Sequence, residues 1–368
     1  MRLVSRTAQL AFTAAAVASL LGWAAAPAAA DSIRKRQWHI AALDLSKAHK
    51  LSRGDGVIVA VIDSGVDAGH PDLAGAVLPG EDLVSDGQDG RSDVDGHGTQ
   101  MAGIIAAHGH GDGGGTLGVA PNAKVLPIRL SINAFGTSGE AVKAVTFAQK
   151  HGAGVINMSF GSADDAPVQA AIRAALAADI VVVASSGNRG EPGGDFPGRY
   201  PEVLTVGATD PADRIASFSI TGPQVDLTAP GVDIVTTGIN SSGYYQGSGT
   251  SEATAVVSGA AALVRSRFPE LSAAEVVHRL TATATDAGDP GRDDSYGYGR
   301  LNIVAALTAN VPAAPASAHS ETTPPSTAEA LPQRFPKRTS PLVITGTAAA
   351  AVLILGGLVL TLMLRRRR

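Results

Sequence analysis

The chain has 368 residues, a formal net charge of −4 and no cysteine. Because no disulfide can form, a domain exported from the cell would depend on core packing alone. Six arginines lie at the two ends, and the 23 basic and 33 acidic residues between them argue against nucleic acid as a partner.

A secretory signal peptide is predicted over residues 1–30. Arg2 and Arg6 come before an apolar stretch, and Ala28-Ala29-Ala30 provides an Ala-x-Ala cleavage site. An uncleaved membrane anchor is the alternative. Residues 31–53 follow as an N-terminal extension.

A folded domain is predicted over residues 54–310. Residues 57–62 form an apolar run long enough for one buried strand, which ends at Asp63. Helical stretches at 139–151 and 168–178 lie between further apolar runs. The alternation predicts an α/β, three-layer fold, in which helices cover both faces of a mainly parallel sheet. Further strands are predicted over residues 125–130, 154–160, 180–184 and 203–206.

The carboxyl ends of these strands are the expected place for functional groups, because ligands bind at that edge of a parallel sheet. Asp63, Ser159 and Asn188 all fall at such ends. His97 lies in Asp95-Gly96-His97-Gly98-Thr99, which opens an apolar helix. The sequence therefore holds a carboxylate, an amide and an imidazole at the ends of elements.

A glycine-rich segment over residues 108–115 contains His108, His110 and Asp112. These residue types ligate metals, but ordering so many glycines would cost much conformational entropy. A flexible surface loop is the preferred interpretation, and no metal site or cofactor is predicted. Structural calcium is not readable from the sequence.

Ser251 follows a turn that contains Gly247 and Gly249, and it opens a small, apolar helix that Pro269 must end. The amino end of a helix offers unpaired N–H groups and a positive dipole, which suit a site where negative charge develops on a substrate oxygen. A simple helix N-cap is the alternative. With Asp63 and His97, the chain order Asp, His, Ser is that of subtilisin-type enzymes.

The C-terminal part is predicted to anchor the chain in a membrane. Residues 311–341 are rich in Pro, Ala, Ser and Thr and indicate a linker. Residues 342–364 carry no charge and are long enough for one transmembrane helix. The arginines at 365–368 form a basic tail, which the positive-inside rule places in the cytoplasm, with the folded domain outside.

Five segments in the same order resemble the signature blocks of the subtilisin family of serine proteases, within a match that runs from about Trp38 to about Leu307. The signal, the Gln37-Trp38-His39 entry and the membrane anchor most resemble the mycosins, membrane-bound proteases associated with type VII secretion. The five segments are Ala60-Val61-Ile62-Asp63-Ser64-Gly65-Val66, Gly96-His97-Gly98-Thr99, Asn157-Met158-Ser159-Phe160-Gly161, Ala184-Ser185-Ser186-Gly187-Asn188 and Gly249-Thr250-Ser251.

The resemblance implies a role for each matched position. Ser251 would be the nucleophile, His97 the general base and then acid, and Asp63 the group that orients the imidazole. Asn188 would donate to the oxyanion. The substrate backbone would pair with the Ser159-Phe160-Gly161 segment, and Ser186 and Gly187 would also bind substrate.

Two charged residues beside these blocks are candidates for specificity. Arg189 follows Asn188 and would favour acidic or polar side chains before the scissile bond, with a solvated surface arginine as the alternative. Glu252 follows Ser251 and would favour a basic residue after the bond and raise the pKa of His97. A favourable interaction with the helix dipole is the alternative for Glu252.

The sequence thus predicts a membrane-anchored, extracytoplasmic serine endopeptidase that acts on polypeptides, with a type VII secretion membrane complex as its expected partner. Two other functions remain open. The domain could be a scaffold subunit of a secretion complex in which proteolysis is secondary, or a general cell-surface protease.

Overall fold

The computed structural model describes residues 33–312, except 112, 131–136, 191–195 and 241–242. The predicted signal peptide, transmembrane helix and basic tail, and all but the start of the predicted linker, lie outside these residues. Within the described part, no helix has the length and apolar character needed to cross a bilayer.

A seven-stranded parallel sheet forms the middle layer. The strands are β1 (Ile58–Asp63), β2 (Glu81–Asp82), β3 (Lys124–Arg129), β4 (Val155–Met158), β5 (Val181–Ser185), β6 (Leu204–Thr209) and β7 (Leu227–Pro230). Their order in the sheet is β2-β3-β1-β4-β5-β6-β7, and every neighbouring pair is parallel. The prediction of a mainly parallel sheet is therefore confirmed.

Helices lie on both faces of the sheet and complete a three-layer α/β fold. Along β1, the side chains of Val59 and Val61 join one core, whereas Ala60 and Ile62 join the other, as the alternation of a strand requires. The helices are α1 (Trp38–Ala42), α2 (Leu45–Ala48), α3 (His97–Ala106), α4 (Ser138–Lys150), α5 (Ala166–Ala177), α6 (Thr250–Arg267), α7 (Ala273–Ala282) and α8 (Ile303–Thr308). Helices α3 and α6 cover the first face, and α4 and α5 cover the second.

A separate antiparallel hairpin of β8 (Ile234–Thr237) and β9 (Tyr244–Gly247) leads into α6. The hairpin packs on α3 through two hydroxyls: Thr236 donates to Gln100 O at 3.0 Å and Thr237 donates to Thr99 O at 2.7 Å. The hairpin thereby joins the helix that starts at His97 to the helix that carries Ser251.

The N-terminal extension is tied to the same hairpin. The Gln37 amide donates to Leu117 O at 3.1 Å and Val235 O at 3.0 Å, and it accepts from Leu117 N at 2.8 Å. The Trp38 indole donates to Val232 O at 2.9 Å. Buried backbone groups need such partners, so Gln37 and Trp38 satisfy carbonyl groups in β8 and in the segment directly before it.

Gly103 provides a test of the hairpin's position on α3. A methyl group on Gly103 would overlap the hydroxyls of Thr236 and Thr237, so Gly103→Ala should lower the free energy of unfolding by about 1–3 kcal/mol. Gly139→Ala is the matched control, because the first turn of α4 has room for a methyl group. There we expect a gain of about 0.5–1 kcal/mol in a urea titration. A gain for both variants would contradict the packing described.

Candidate active site

The Asp63 carboxylate and the His97 ring are hydrogen-bonded to each other. Asp63 is the last residue of β1, and its side chain is only 5% exposed. The His97 Nδ1 lies 2.8 Å from Asp63 Oδ1 and 2.9 Å from Oδ2. Because a carboxylate only accepts, Nδ1 carries the proton, and Nε2 is the nitrogen available to other groups. Ser64 N also donates to Asp63 Oδ1, at 2.7 Å.

The pKa of His97 is set by opposing influences. Burial alone would lower it, but the charge and hydrogen bond of Asp63 raise it, and Glu252 and Asp95 add to that effect. The result is a pKa of about 9, compared with an ordinary value of 6.5. The site therefore stabilises the imidazolium form, as opposite charges near a histidine do.

Ser251 lies in the first turn of α6, next to the segment that follows β4. Its hydroxyl donates to Ser159 O at 3.1 Å, and the Ser159 hydroxyl donates to Ser251 O at 3.2 Å. Among the described residues, the hydroxyl bond of Ser251 is thus made to Ser159 and not to His97. Such bonds are often long or misaligned in free enzymes and align when substrate binds.

Asn188 is fixed by the residue that precedes Ser251. Its side-chain oxygen accepts from Thr250 N and from the Thr250 hydroxyl, each at 3.0 Å. The Asn188 Nδ2 lies 3.4 Å from the position that a Cβ on Gly249 would take. The amide nitrogen is therefore turned toward the start of α6.

The other predicted substrate-binding residues follow strands β4 and β5. Ser159 is buried, and Phe160 and Gly161 are half-buried at the carboxyl edge of the sheet. Ser186 is 1% exposed, and Gly187 accepts from Ile220 N at 3.0 Å. Within the described part of the chain, the Ser186 hydroxyl has no hydrogen-bond partner.

The two charged candidates lie in different environments. Arg189 is exposed, and its guanidinium donates to Ser219 O and to the Thr221 hydroxyl, each at 3.2 Å. Glu252 is only 5% exposed. Its Oε1 lies 2.6 Å from the position of a Cβ on Gly247, and its Oε2 lies 2.7 Å from that on Gly249. The Glu252 carboxylate therefore fits under the glycine turn that leads to Ser251.

Asp93 and Thr250 take part in the site but were not predicted from the sequence. Thr250 fixes Asn188, and its place directly before Ser251 was the available signal. Asp93 is a buried carboxylate in the loop before α3 that accepts from the Ser64 hydroxyl at 3.0 Å. Gly96, and not Asp93, occupies the N-cap position of α3, so the place of Asp93 in the sequence gave no capping signal.

The histidines of the glycine-rich segment have separate partners. His110 Nδ1 lies 2.5 Å from Asp72 Oδ1, and His108 Nε2 lies 2.9 Å from Ala74 O. Asp72 also accepts from Thr116 N at 2.7 Å. Asp112 lies outside the described residues. In the part of the chain that the structure describes, no three His, Cys, Asp or Glu residues are grouped to hold a metal ion.

Comparison with known proteins gives concordant matches. Residues 54–299 match the Subtilase family. Mycosin-1 of Mycobacterium tuberculosis is 36% identical over 373 residues, which covers 85% of this chain and 82% of the relative. Subtilisin DY of Bacillus licheniformis is 39% identical over 274 residues, with 72% and 97% covered. A chain in the solved structure of an intact ESX-5 inner membrane complex is 30% identical at a TM-score of 0.68, with 90% and 89% covered.

These matches agree with the three-layer fold, and they define the class: a subtilisin-type serine protease. The chain belongs to the subtilase family and is related to the mycosins.

The raised pKa of His97 can be measured by NMR in Ser251→Ala, which leaves the charges of the site in place. We expect His97 to titrate near pH 9. Asp63→Asn removes the main raising influence, so burial should then bring the pKa below 6.5. In the parent protein, the stability from this pair is complete below pH 6.5 and is lost as the pH rises through 9. Asp55→Asn, at an exposed position, is the control. An unchanged His97 pKa in Asp63→Asn would contradict the assignment.

Proposed function

We propose that the chain is a membrane-anchored, extracytoplasmic serine endopeptidase that uses Asp63, His97 and Ser251. The observation that carries this proposal is the bond between His97 Nδ1 and Asp63 at 2.8 Å, at the sheet edge where α6 presents Ser251. This bond leaves Nε2 of His97 to take a proton. Apart from the peptide substrate, the proposed reaction uses only residues of the chain and water, without a cofactor.

The proposed reaction has two stages. In the first, Ser251 Oγ attacks the scissile carbonyl carbon while His97 Nε2 takes the hydroxyl proton. His97 then gives this proton to the leaving amine, and an ester between Ser251 and the substrate remains. In the second stage, a water molecule attacks the ester carbon while His97 Nε2 takes its proton. His97 then gives this proton to Ser251 Oγ as the ester bond breaks, and the acid product leaves. Asp63 keeps its charge and stabilises the imidazolium throughout.

Asn188 and the Ser251 N–H are the proposed donors to the tetrahedral oxyanion. The support is the pair of 3.0 Å bonds from Thr250, which fix the Asn188 oxygen and turn its amide nitrogen toward the start of α6. A donor fixed before reaction needs no reorganisation when the negative charge forms. Its effect therefore belongs to turnover and not to ground-state binding.

The proposed substrate is an extended polypeptide. The Ser159-Phe160-Gly161 segment lies at the carboxyl edge of the sheet, directly beside Ser251, where an extended peptide can add as a further strand. Ser186 and Gly187 would bind the same segment from the end of β5. This mode selects linear or unfolded chains, because a folded chain cannot offer its backbone to the edge.

Ser251→Ala should abolish peptide hydrolysis and labelling by a fluorophosphonate without unfolding the domain. The change removes one hydroxyl and little packing, and loss of this serine in subtilisin itself costs several orders of magnitude in turnover. Ser266→Ala, on the same helix but far along it, is the matched control and should remain active. Hydrolysis by Ser251→Ala at close to the parent rate would refute the proposed nucleophile.

The proposed location is the outer face of the cell membrane, with the transmembrane helix at 342–364 and a type VII secretion complex as partner. The support is the charge pattern of the C-terminal part, together with likeness to Mycosin-1 and to a chain of the ESX-5 inner membrane complex. The latter likeness also favours the scaffold function. If secretion persists in Ser251→Ala but stops when the chain is deleted, the scaffold function is the main one.

Glu252 is proposed to tune both pH dependence and specificity. Because Glu252 raises the pKa of His97, Glu252→Met should let the base lose its proton at lower pH, so that activity begins at lower pH. The same variant should weaken any preference for Lys or Arg after the scissile bond. A peptide-library digest at several pH values measures both effects, with Glu270→Met at an exposed site as control. If both properties stay unchanged, only the helix-dipole interpretation remains.

The parent digest also tests Arg189. The proposed preference is for acidic or polar residues before the scissile bond, since the guanidinium is exposed beside Asn188. A clear preference for Lys or Arg at that substrate position would refute this role.

A further inference from the structure

Besides Asp63, the site contains a second buried carboxylate, Asp93, which lies in the loop before α3 and accepts five hydrogen bonds. Its Oδ1 accepts from the Ser64 hydroxyl at 3.0 Å, from Asp95 N at 3.0 Å and from Gly96 N at 2.9 Å. Its Oδ2 accepts from Thr99 N at 3.0 Å and from the Thr99 hydroxyl at 2.6 Å. A buried carboxylate with this number of donors is held in one position.

These bonds join the two elements that carry Asp63 and His97. Ser64 directly follows Asp63, and its hydroxyl also accepts from Gly98 N at 2.9 Å, directly after His97. The Ser64 hydroxyl is therefore a bridge between Asp93 and the first turn of α3. The backbone N–H of Ser64 also donates to the Asp63 carboxylate, at 2.7 Å.

The same two elements are in close contact. A Cβ on Gly98 would overlap the Gly65 carbonyl and would lie 3.2 Å from Asp63 Cβ. Next to this contact, Asp67 N donates to the Thr99 hydroxyl at 2.9 Å, and that hydroxyl donates in turn to Asp93. Hydrogen bonds therefore connect the loop after β1 to the first turn of α3 in both directions: Gly98 N donates to the loop, and Asp67 N donates to the helix.

A charged residue gives this junction more strength than neutral hydrogen bonds would. The amino end of a helix carries a partial positive charge, and a carboxylate that accepts from its first N–H groups, as Asp93 accepts from Thr99 N, is stabilised by that charge. Charge-assisted hydrogen bonds are also about twice as strong as neutral ones. Loss of the whole carboxylate would leave several buried N–H groups without an acceptor, and a shift of α3 would be needed to restore their bonds.

We propose that Asp93 is a positioning residue that fixes the distance between Asp63 and His97 through Ser64 and the first turn of α3. The proposal rests on the proposed catalytic function of that pair. A shift of about 1 Å in such a group can lower turnover about a hundredfold. Asp93 would therefore act on the rate of the chemical step while it touches neither substrate nor the reacting atoms.

The alternative is that Asp93 only stabilises the fold as a helix cap. A cap that is lost lowers the melting temperature and the fraction of active protein, but it leaves the folded active sites unchanged. The two roles therefore differ in the kcat per titrated active site and in the geometry of the His97 Nδ1–H bond.

The test compares Asp93→Ala, Asp93→Asn and Ser64→Ala with the parent, each as the full chain in detergent. Active sites are counted with a fluorophosphonate, and kcat and KM are measured with one neutral peptide. The downfield proton resonance of His97 Nδ1–H, in histidine-labelled protein, reports the bond to Asp63. Asp86→Asn is the matched control, because Asp86 is an exposed carboxylate in the segment between β2 and α3.

We expect kcat per active site to fall about a hundredfold in Asp93→Ala, with KM unchanged and the His97 proton resonance shifted or lost. Asp93→Asn keeps one acceptor oxygen and should be intermediate. Ser64→Ala removes only the bridging hydroxyl, and we expect a loss of about tenfold, as for one hydrogen bond. If Asp93→Ala does not fold, Ser64→Ala decides the matter.

A parent-like kcat per active site together with an unshifted His97 resonance in these variants would overturn the positioning role. The His97 Nδ1–H resonance can be measured without turnover, so it tests the positioning role of Asp93 even if the parent hydrolyses no peptide. In that case the proposed function fails separately.

Discussion

The hydrogen bonds between the buried Asp63 carboxylate and His97 are the interaction on which the rest of the site depends. A buried carboxylate is costly unless donors surround it, and here the donors come from α3 and from Ser64. The demand is met by packing the start of α3 against the end of β1, where only Gly98 fits. The hairpin threonines hold the other side of the same helix. The geometry of the pair is therefore a property of the whole junction.

Much of the fold could be predicted because its strands are local features of the sequence. An apolar run such as residues 57–62 must be buried on both faces, and the alternation of such runs with helical stretches indicates a parallel sheet between helices. The β8 and β9 hairpin was not predicted, since its strands are short and its stability comes from contacts with α3 and Gln37. The local sequence pattern does not predict contacts between residues that lie far apart in the chain.

The same distinction applies to the site. Asp63, His97 and Ser251 stand at the ends of apolar elements, which the sequence displays directly. Asp93 stands in a polar loop, and its importance lies in donors that only the folded chain brings to it. Likewise, the burial of Glu252 could not be read from its place on a helix, because it depends on the absence of side chains at Gly247 and Gly249.

In this arrangement, residues 247, 249 and 252 compete for the same space. A side chain at position 247 would need the space that the Glu252 carboxylate and the edge of the Tyr245 ring occupy, and one at position 249 would displace the other carboxylate oxygen. The size of the residues at 247 and 249 and the length of the residue at 252 are therefore coupled variables during divergence. A chain with a side chain at position 247 or 249 would need a shorter or redirected residue at 252, which would remove or move one of the charges that act on His97.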